Sequence, residues 1–283
     1  MRGLDDAASG TVPGEDGARR QMAAHGRKPD ENLCPPVIAM LIPASPLIQS
    51  PVFFENTVIP DDFGLLCWNI HKENLKPNFL KQIRTWKKDH SLDLLLLQEA
   101  RFSNRLTSLG GFPFVAAANL RLPFDYSGVI TAANADPKTS RYHMTQAKEP
   151  LIFTPKNALI TLYHFNDMAS LMVVNLHAIN FKSLAWYQWE LARLFDILKA
   201  HRGAMIVAGD FNCWRKSRIK ILGHFTGLLD LRYALPRKDK HVKKWFGFHL
   251  DRVYYRGVEL TDIQAVNCRK LSDHNPLIAR FAR

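Results

Sequence analysis

The sequence predicts an α/β protein built on mixed β-sheets, and three observations carry that expectation. Hydrophobic residues make up 47% of the 283-residue chain and aromatics 11%, ample material for a sizeable core and unlike a disordered or fibrous composition. Short apolar runs of strand length alternate with longer amphipathic stretches of helical period. Other apolar runs follow one another directly, with no helix between them, which calls for antiparallel as well as parallel pairing.

In chain order, "FGLLCWNI" reads as the first strand of the body. "PNFLKQIRTWKKDH" follows as a helix, with Phe79, Leu80, Ile83 and Trp86 at helical spacing and Lys and Arg between them. "LDLLLLQEA" has the composition of a buried strand, although a short Leu run suits a helix as well. "GVITAAN", "ALITLYHF" and "LMVVNLHAI" are strand candidates. "WYQWELARLFDILKAH" is the clearest helix, placing Tyr187, Leu191, Leu194, Phe195 and Leu198 on one face. "AMIVAGDF", "LDRVYYRGVEL" and "NPLIARF" complete the strands. No internal repeat stands out.

The first 60 residues differ from the rest. They hold half of the 16 prolines and read as a tail or arm, leaving 61–283 as the globular domain. Asn32 to Phe54 is uncharged and long enough to cross a bilayer, but it contains five prolines. An extended arm laid over the domain is the expectation there, without stable membrane insertion. The tail carries 5 Lys+Arg against 7 Asp+Glu, so the +12 formal charge belongs to the body. That surplus points to anionic partners: nucleic acid, phospholipid headgroups or phosphorylated small molecules. Cys34, Cys67, Cys213 and Cys268 are scattered, with no disulfide framework and no paired spacing for zinc. With no apolar core typical of a secretory leader near the start, a cytoplasmic location is expected.

The chemical signal lies at the strand ends. "MIVAGDFN" runs from apolar residues into Asp210 and Asn212. The design recurs: Asn69 in "LLCWNI", Gln98 and Glu99 in "LLLLQEA", Asn175 and His177 in "LMVVNLHAIN", Asp251 in "HLDRVYY", Asp273 and His274 in "LSDHNPL". Buried polar tips are costly unless paired or coordinating, so several of them point to one shared site. Oxygen donors without thiolates suit Mg²⁺, or Mn²⁺, better than zinc. Each residue also has a plainer reading. Asp210 and Asn212 would form an Asx-turn, Asp273 would cap a turn, and His177 would be a core histidine. Asp251 would pair with Arg252, while Asn69 and Glu99 would serve strand ends. His71, His143 and His241 fit no motif.

The ordered set "WNIHKE", "LLLLQEA", "VVNLHAINF", "VAGDFN", "LDRVYYRG" and "SDHNPLIARF" resembles the endonuclease/exonuclease/phosphatase superfamily. Within it, the chain is most similar to the uncharacterised bacterial YafD-like branch, over about residues 62–283. The resemblance implies a DNase I-like fold: a four-layer α/β sandwich of two packed mixed β-sheets flanked by helices. It further implies that Asn69, Glu99 and Asp273 hold the metal. Asp210 would orient or deprotonate the attacking water, and Asn212 would position the phosphate. His274 would contact the scissile phosphate, with Asp251 orienting it, and His177 would match the catalytic-site histidine of the DNase I and sphingomyelinase branches, where the exonuclease III branch has a tyrosine. Arg215 and Lys216, directly after the "GDFN" loop, are expected at the substrate entrance. The basic, aromatic runs "RTWKK", "WRKSRIK" and "RKDKHVKKWF" favour a nuclease acting on DNA or RNA. A lipid or small-molecule phosphoesterase and a non-catalytic polyanion-binding member are the alternatives. Oligomeric state is not legible.

Overall fold

The computed structural model describes residues 47–150 and 153–283. The arm expected over residues 1–60 therefore lies outside the described residues up to position 46. Its last stretch supplies β1 (Leu47–Gln49), an edge strand antiparallel to β4 (Phe114–Arg121).

The first sheet has the order β1-β4-β5-β3-β2-β15-β14, with β2 (Asp62–Asn69), β3 (Leu92–Phe102), β5 (Tyr126–Ala133), β14 (Glu259–Ala265) and β15 (Leu277–Ala282). The second has the order β10-β13-β9-β8-β7-β6, with β6 (Thr139–Lys148), β7 (Pro155–His164), β8 (Ser170–His177), β9 (Ala204–Asp210), β10 (Arg232–Tyr233) and β13 (Asp251–Arg256). A short hairpin, β11 (Lys244–Trp245) and β12 (Phe248–His249), stands apart from both. Each sheet contains one parallel pair, β2 with β3 and β8 with β9, among antiparallel neighbours. The sheets are mixed, as expected.

The parallel pairs explain the layers. Helix α1 (Pro77–Asp89) links β2 to β3, and α2 (Leu184–Leu198) links β8 to β9. Such crossovers must lie on a sheet face. In α1, Phe79, Ile83 and Trp86 pack on the outward residues Leu66, Trp68, Leu95 and Leu97. The alternate residues Leu65, Cys67, Leu94 and Leu96 point inward and meet Val173, Ile206 and Ala208 of the second sheet. Strands covered on both faces read as continuous apolar runs, which is why "LLLL" is a strand here and not a helix. On the far side, α2 and α3 (Lys216–Leu228) cover the second sheet through Tyr187, Leu191, Leu194, Leu222 and Phe225. The result is the four-layer sandwich.

Several elements depart from the sequence reading. "LDRVYYRGVEL" is two strands in different sheets, parted at Gly257, whose φ of 68° breaks the extended chain. "WRKSRIK" opens helix α3, and α3 lacked a distinct hydrophobic period because Arg218 sits on its buried face with Leu222 and Phe225. The strands β4 and β6 were not anticipated, being respectively Ala-rich and polar.

His143, on β6, is buried beside Glu190, its Nε2 3.9 Å from the Glu190 carboxylate and without a hydrogen-bond partner. The separation is within ion-pair range, but burial, helped by Arg193, pushes the imidazole pKa down from 6.5 to about 4, so it is neutral at pH 7. Because the folded pKa lies below the unfolded one, protons bind the unfolded chain preferentially. The stability is complete above pH 6.5, declines as pH falls toward 4, and levels off below. The loss is about 3 kcal/mol from this residue. Denaturant titrations between pH 7 and 4 should show a shallower decline for His143→Phe than for the wild type, and parallel curves would refute the assignment.

Candidate active site

The polar tips gather because both parallel pairs point their C-terminal ends to one edge of the sandwich. β2 ends on Asn69, β8 on His177 and β9 on Asp210. The antiparallel β13 begins at that edge with Asp251, and His274 lies just before β15. His177, Asp210 and Asp251 are lateral neighbours in the ladder of the second sheet. Between the two sheet edges opens a cleft of about 460 Å³, a volume typical of ligand sites. Asn69, Glu99, His177, Asp210, Asn212, Asp273 and His274 all line it.

Local geometry fixes each group. Glu99 sits where the pairing of β3 with β5 shifts register, at φ 52°, and this bulge aims its carboxylate into the cleft while Gln98 turns into the core. Gln98 Nε2 donates to Asn175 Oδ1 at 2.7 Å, and Asn175 Nδ2 donates to the carbonyls of Leu97 and Ile130. Those two polar tips thus clamp one sheet to the other and leave the cleft to their neighbours. Asp210 accepts from the Asn212 backbone N–H at 3.0 Å and from Asn69 Nδ2 at 3.2 Å. Asn212, at φ 49°, donates its side-chain amide to the Ala178 carbonyl.

Asp251 is 1% exposed, and both its oxygens lie within hydrogen-bond distance of His274 Nδ1, at 2.8 and 3.0 Å. It does not pair with Arg252, whose guanidinium instead bonds the His249 carbonyl and lies over Tyr233. Burial alone would lower the His274 pKa. The Asp251 charge and hydrogen bond, with Asp210 and Asp273, overcome it and raise the value to about 9. The loop is anchored to β2: Trp68 Nε1 donates to the His274 carbonyl, and Ser272 Oγ donates to the Asn69 carbonyl.

His177 is the opposite case. It lies 3.9 Å from Glu99 and 3.8 Å from Asp210, yet burial and the nearby Lys156 bring its pKa down to about 4. Burial would raise the Glu99 pKa, but His177, Lys156 and Lys72, with the Lys72 hydrogen bond, bring it to about 2. His177 is itself protonated below about pH 4, so its charge joins those of the two lysines as Glu99 titrates, whereas at pH 7 only the lysines are cationic. The two imidazoles of the cleft therefore hold different charges in neutral solution.

Lys72 lies 3.3 Å from Glu99, and Lys243 lies 2.8 Å from Asp273. Burial raises the Asp273 pKa, but the Lys243 hydrogen bond, His274 and the Lys243 charge leave it below the ordinary value. Two ionised carboxylates capped by ammonium groups, sharing one cleft with the Asn69 carboxamide, are an oxygen-donor set that fits a hard divalent cation. Asp210, Asp251 and His274 also bring ligand-type atoms within 4.8 Å of one another. That cluster differs from the expected set of Asn69, Glu99 and Asp273, and its His274 Nδ1 already faces Asp251.

Arg215 and Lys216 do not line the cleft. They begin α3, which turns Arg215 over the Trp214 ring at 4.9 Å and leaves Lys216 exposed. Other residues were not foreseen. Arg218 is fully buried and donates to the carbonyls of Ile179, Asn212 and Lys182, tying together the loops after β8 and β9. Its spacing to Leu222 and Phe225 was the available signal. Lys156 and Glu149, both buried, pair at 3.4 Å in the cleft wall. Nothing in their local sequence marks them, because the partners come from different strand ends.

The Endonuclease/Exonuclease/phosphatase family matches residues 66–274 of this chain. A UPF0294 protein of Klebsiella pneumoniae (strain 342) is 35% identical over 239 residues, covering 82% of this chain and 88% of its own length. Such relatives agree with the YafD-like branch. An endonuclease/exonuclease/phosphatase family protein from Leptotrichia buccalis C-1013-b shares the fold with a TM-score of 0.59 at 12% identity, covering 78% of this chain and all of that one. The mannosyl-6-phosphatase Bt3783 of Bacteroides thetaiotaomicron does so with a TM-score of 0.53 at 14% identity, covering 78% of this chain and 100% of its own. The chain belongs to the endonuclease/exonuclease/phosphatase family, phosphoester hydrolases that typically use divalent metals.

Proposed function

We propose that this protein is a Mg²⁺-dependent nuclease that hydrolyses phosphodiester bonds by in-line attack of water. The observation that carries the reading is the pairing, in one cleft, of the carboxylate Asp210 with a protonated His274 backed by Asp251. Asp210, fixed by Asn69 and Asn212, is placed to orient the water and take its proton. His274 offers Nε2–H to a phosphoryl oxygen, and its imidazolium charge offsets the charge building there. Asn212 and Lys156 flank the same space. Glu99, Asn69 and Asp273 would hold the cation. When bound, Mg²⁺, or Mn²⁺ in its place, neutralises phosphate charge and stabilises the departing oxyanion.

Lys156, Lys243 and Lys244 in the cleft wall support a polyanionic substrate over a neutral one. No helix among the described residues is long and apolar enough to cross a membrane. A cytoplasmic nucleic acid is the partner we infer.

The purified protein should be offered single- and double-stranded DNA, RNA, phospholipid and sugar or inositol phosphates, with Mg²⁺, Mn²⁺ or EDTA. Cleavage of a polynucleotide is expected, abolished by EDTA and reduced at least about 10³-fold in Glu99→Ala. Turnover of lipid or phosphomonoester alone would replace the nuclease reading. Polyanion binding without product under any metal would mark a non-catalytic member.

A further inference from the structure

One lip of the cleft is a continuous aromatic surface. Trp245 is its hub, with ring centroids 5.6 Å from Phe181, 6.0 Å from Trp214 and 5.9 Å from Phe246. Phe181 and Trp245 line the cleft beside Asn212 and His274. These rings are displayed and not buried: Phe181 is 50% exposed, Trp245 38% and Phe246 74%.

The backbone is strained to display them. Phe181 and Phe246 have φ of 47° and 49°, the left-handed region that aromatic residues avoid. Phe246 and Gly247, both at positive φ, form the two-residue turn of the β11–β12 hairpin, where Asn-Gly would be the ordinary choice. At Phe181, a chain of polar contacts holds the strained loop. Asn180 Oδ1 accepts from the Phe181 N–H and from Trp214 Nε1, both at 2.9 Å. The Asn180 N–H donates to Glu149, which pairs with Lys156. Below the hairpin, Asp239 holds Lys244 and His249, and His249 meets the Tyr233 hydroxyl. Strain maintained by such a scaffold, at exposed rings beside a reactive cleft, is a mark of function.

We propose that this lip stacks one or two unpaired nucleobases next to the scissile phosphate, so that the substrate is single-stranded nucleic acid. The inference rests on the nuclease reading and names its substrate class. In a duplex the base faces are covered by their neighbours, whereas a single strand offers them to a protein ring. Hydrocarbon suits the lip less well, because the Arg215 guanidinium lies over Trp214 and would be carried out of water with it.

The test uses single-stranded 15-mers in Mg²⁺ with one abasic spacer moved position by position, read as kcat/KM. A loss of roughly 5- to 150-fold is expected at one or two adjacent positions and none elsewhere. Trp245→Ala should flatten this profile, Phe246→Ala should weaken it, and Trp245→Phe should keep most of it. A flat wild-type profile, or one unchanged in Trp245→Ala, overturns the stacking lip while leaving the nuclease reading intact. A second measurement does not require turnover: tryptophan fluorescence titrated in EDTA with a normal 15-mer and a fully abasic one of equal charge. Equal affinities overturn the proposal even if no polynucleotide is cleaved. Co-sedimentation with anionic phosphatidylglycerol vesicles, lost in Trp245→Ala, would assign the lip to a membrane surface and also overturn it.

Discussion

Asp210→Asn is expected to lower kcat by about 10²- to 10⁴-fold, the usual cost of losing a positioned general base. The substitution also removes an acceptor from a network with no spare one. Asp210 Oδ1 accepts from the Asn212 N–H, and Oδ2 accepts from Asn69 Nδ2. An asparagine that keeps the first contact turns its own NH₂ toward the Asn69 NH₂. Asn69 does not escape by rotating its amide, because its Oδ1 accepts from the His71 N–H at 3.3 Å. An unpaired buried donor costs about 1–3 kcal/mol. A drop in Tm of roughly 3–10 °C should therefore accompany the kinetic loss. Steady-state kinetics and thermal unfolding on the same preparation check both. A variant retaining more than a tenth of the wild-type kcat would remove Asp210 from the proton-transfer step.

The largest stability effect is expected one residue earlier. Gly209 lies opposite Leu176 in the parallel pair of β8 and β9, at φ 148°. A Cβ there would stand 1.8 Å from the Leu176 carbonyl oxygen and 2.7 Å from its carbon. Both are backbone atoms of a central strand, so the strands must separate. Overpacking and an unfavourable φ together give a loss of about 3–5 kcal/mol for Gly209→Ala. That is a large part of a typical domain stability. Because the displaced strands end on His177 and Asp210, activity should fall as well. Gly223→Ala is the control with the opposite sign. Gly223 is in the exposed face of α3 with nothing near its missing Cβ, and alanine there should stabilise by about 0.5–1 kcal/mol. Urea midpoints moving the same way for both variants would contradict the packing argument.

Much of the site was legible because its chemistry sits at strand ends, where an apolar run stopping on Asp, Asn, Glu or His is conspicuous. Asn69, Glu99, His177, Asp210, Asn212, Asp273 and His274 line one cleft, with Asp251 behind His274. Gln98 and Asn175 had the same local signature, yet they bond each other across the sheets. Pattern alone does not separate a catalytic tip from a structural clamp. The basic run "WRKSRIK" was read as one surface, whereas the helix turns Arg218 inward and Lys216 outward.

By itself the sequence determined the α/β class, the strands buried on both faces and the residue types at their ends, because these follow from hydrophobic period and local chemistry. Only the tertiary structure decided which carboxylate meets which imidazole. Asp251 and His274 are 23 residues apart and the imidazole of His274 is pushed upward by that contact, while His177, at the same edge, is left neutral. Burial and neighbouring charge set those states, and both are properties of the folded neighbourhood that no local stretch of chain contains.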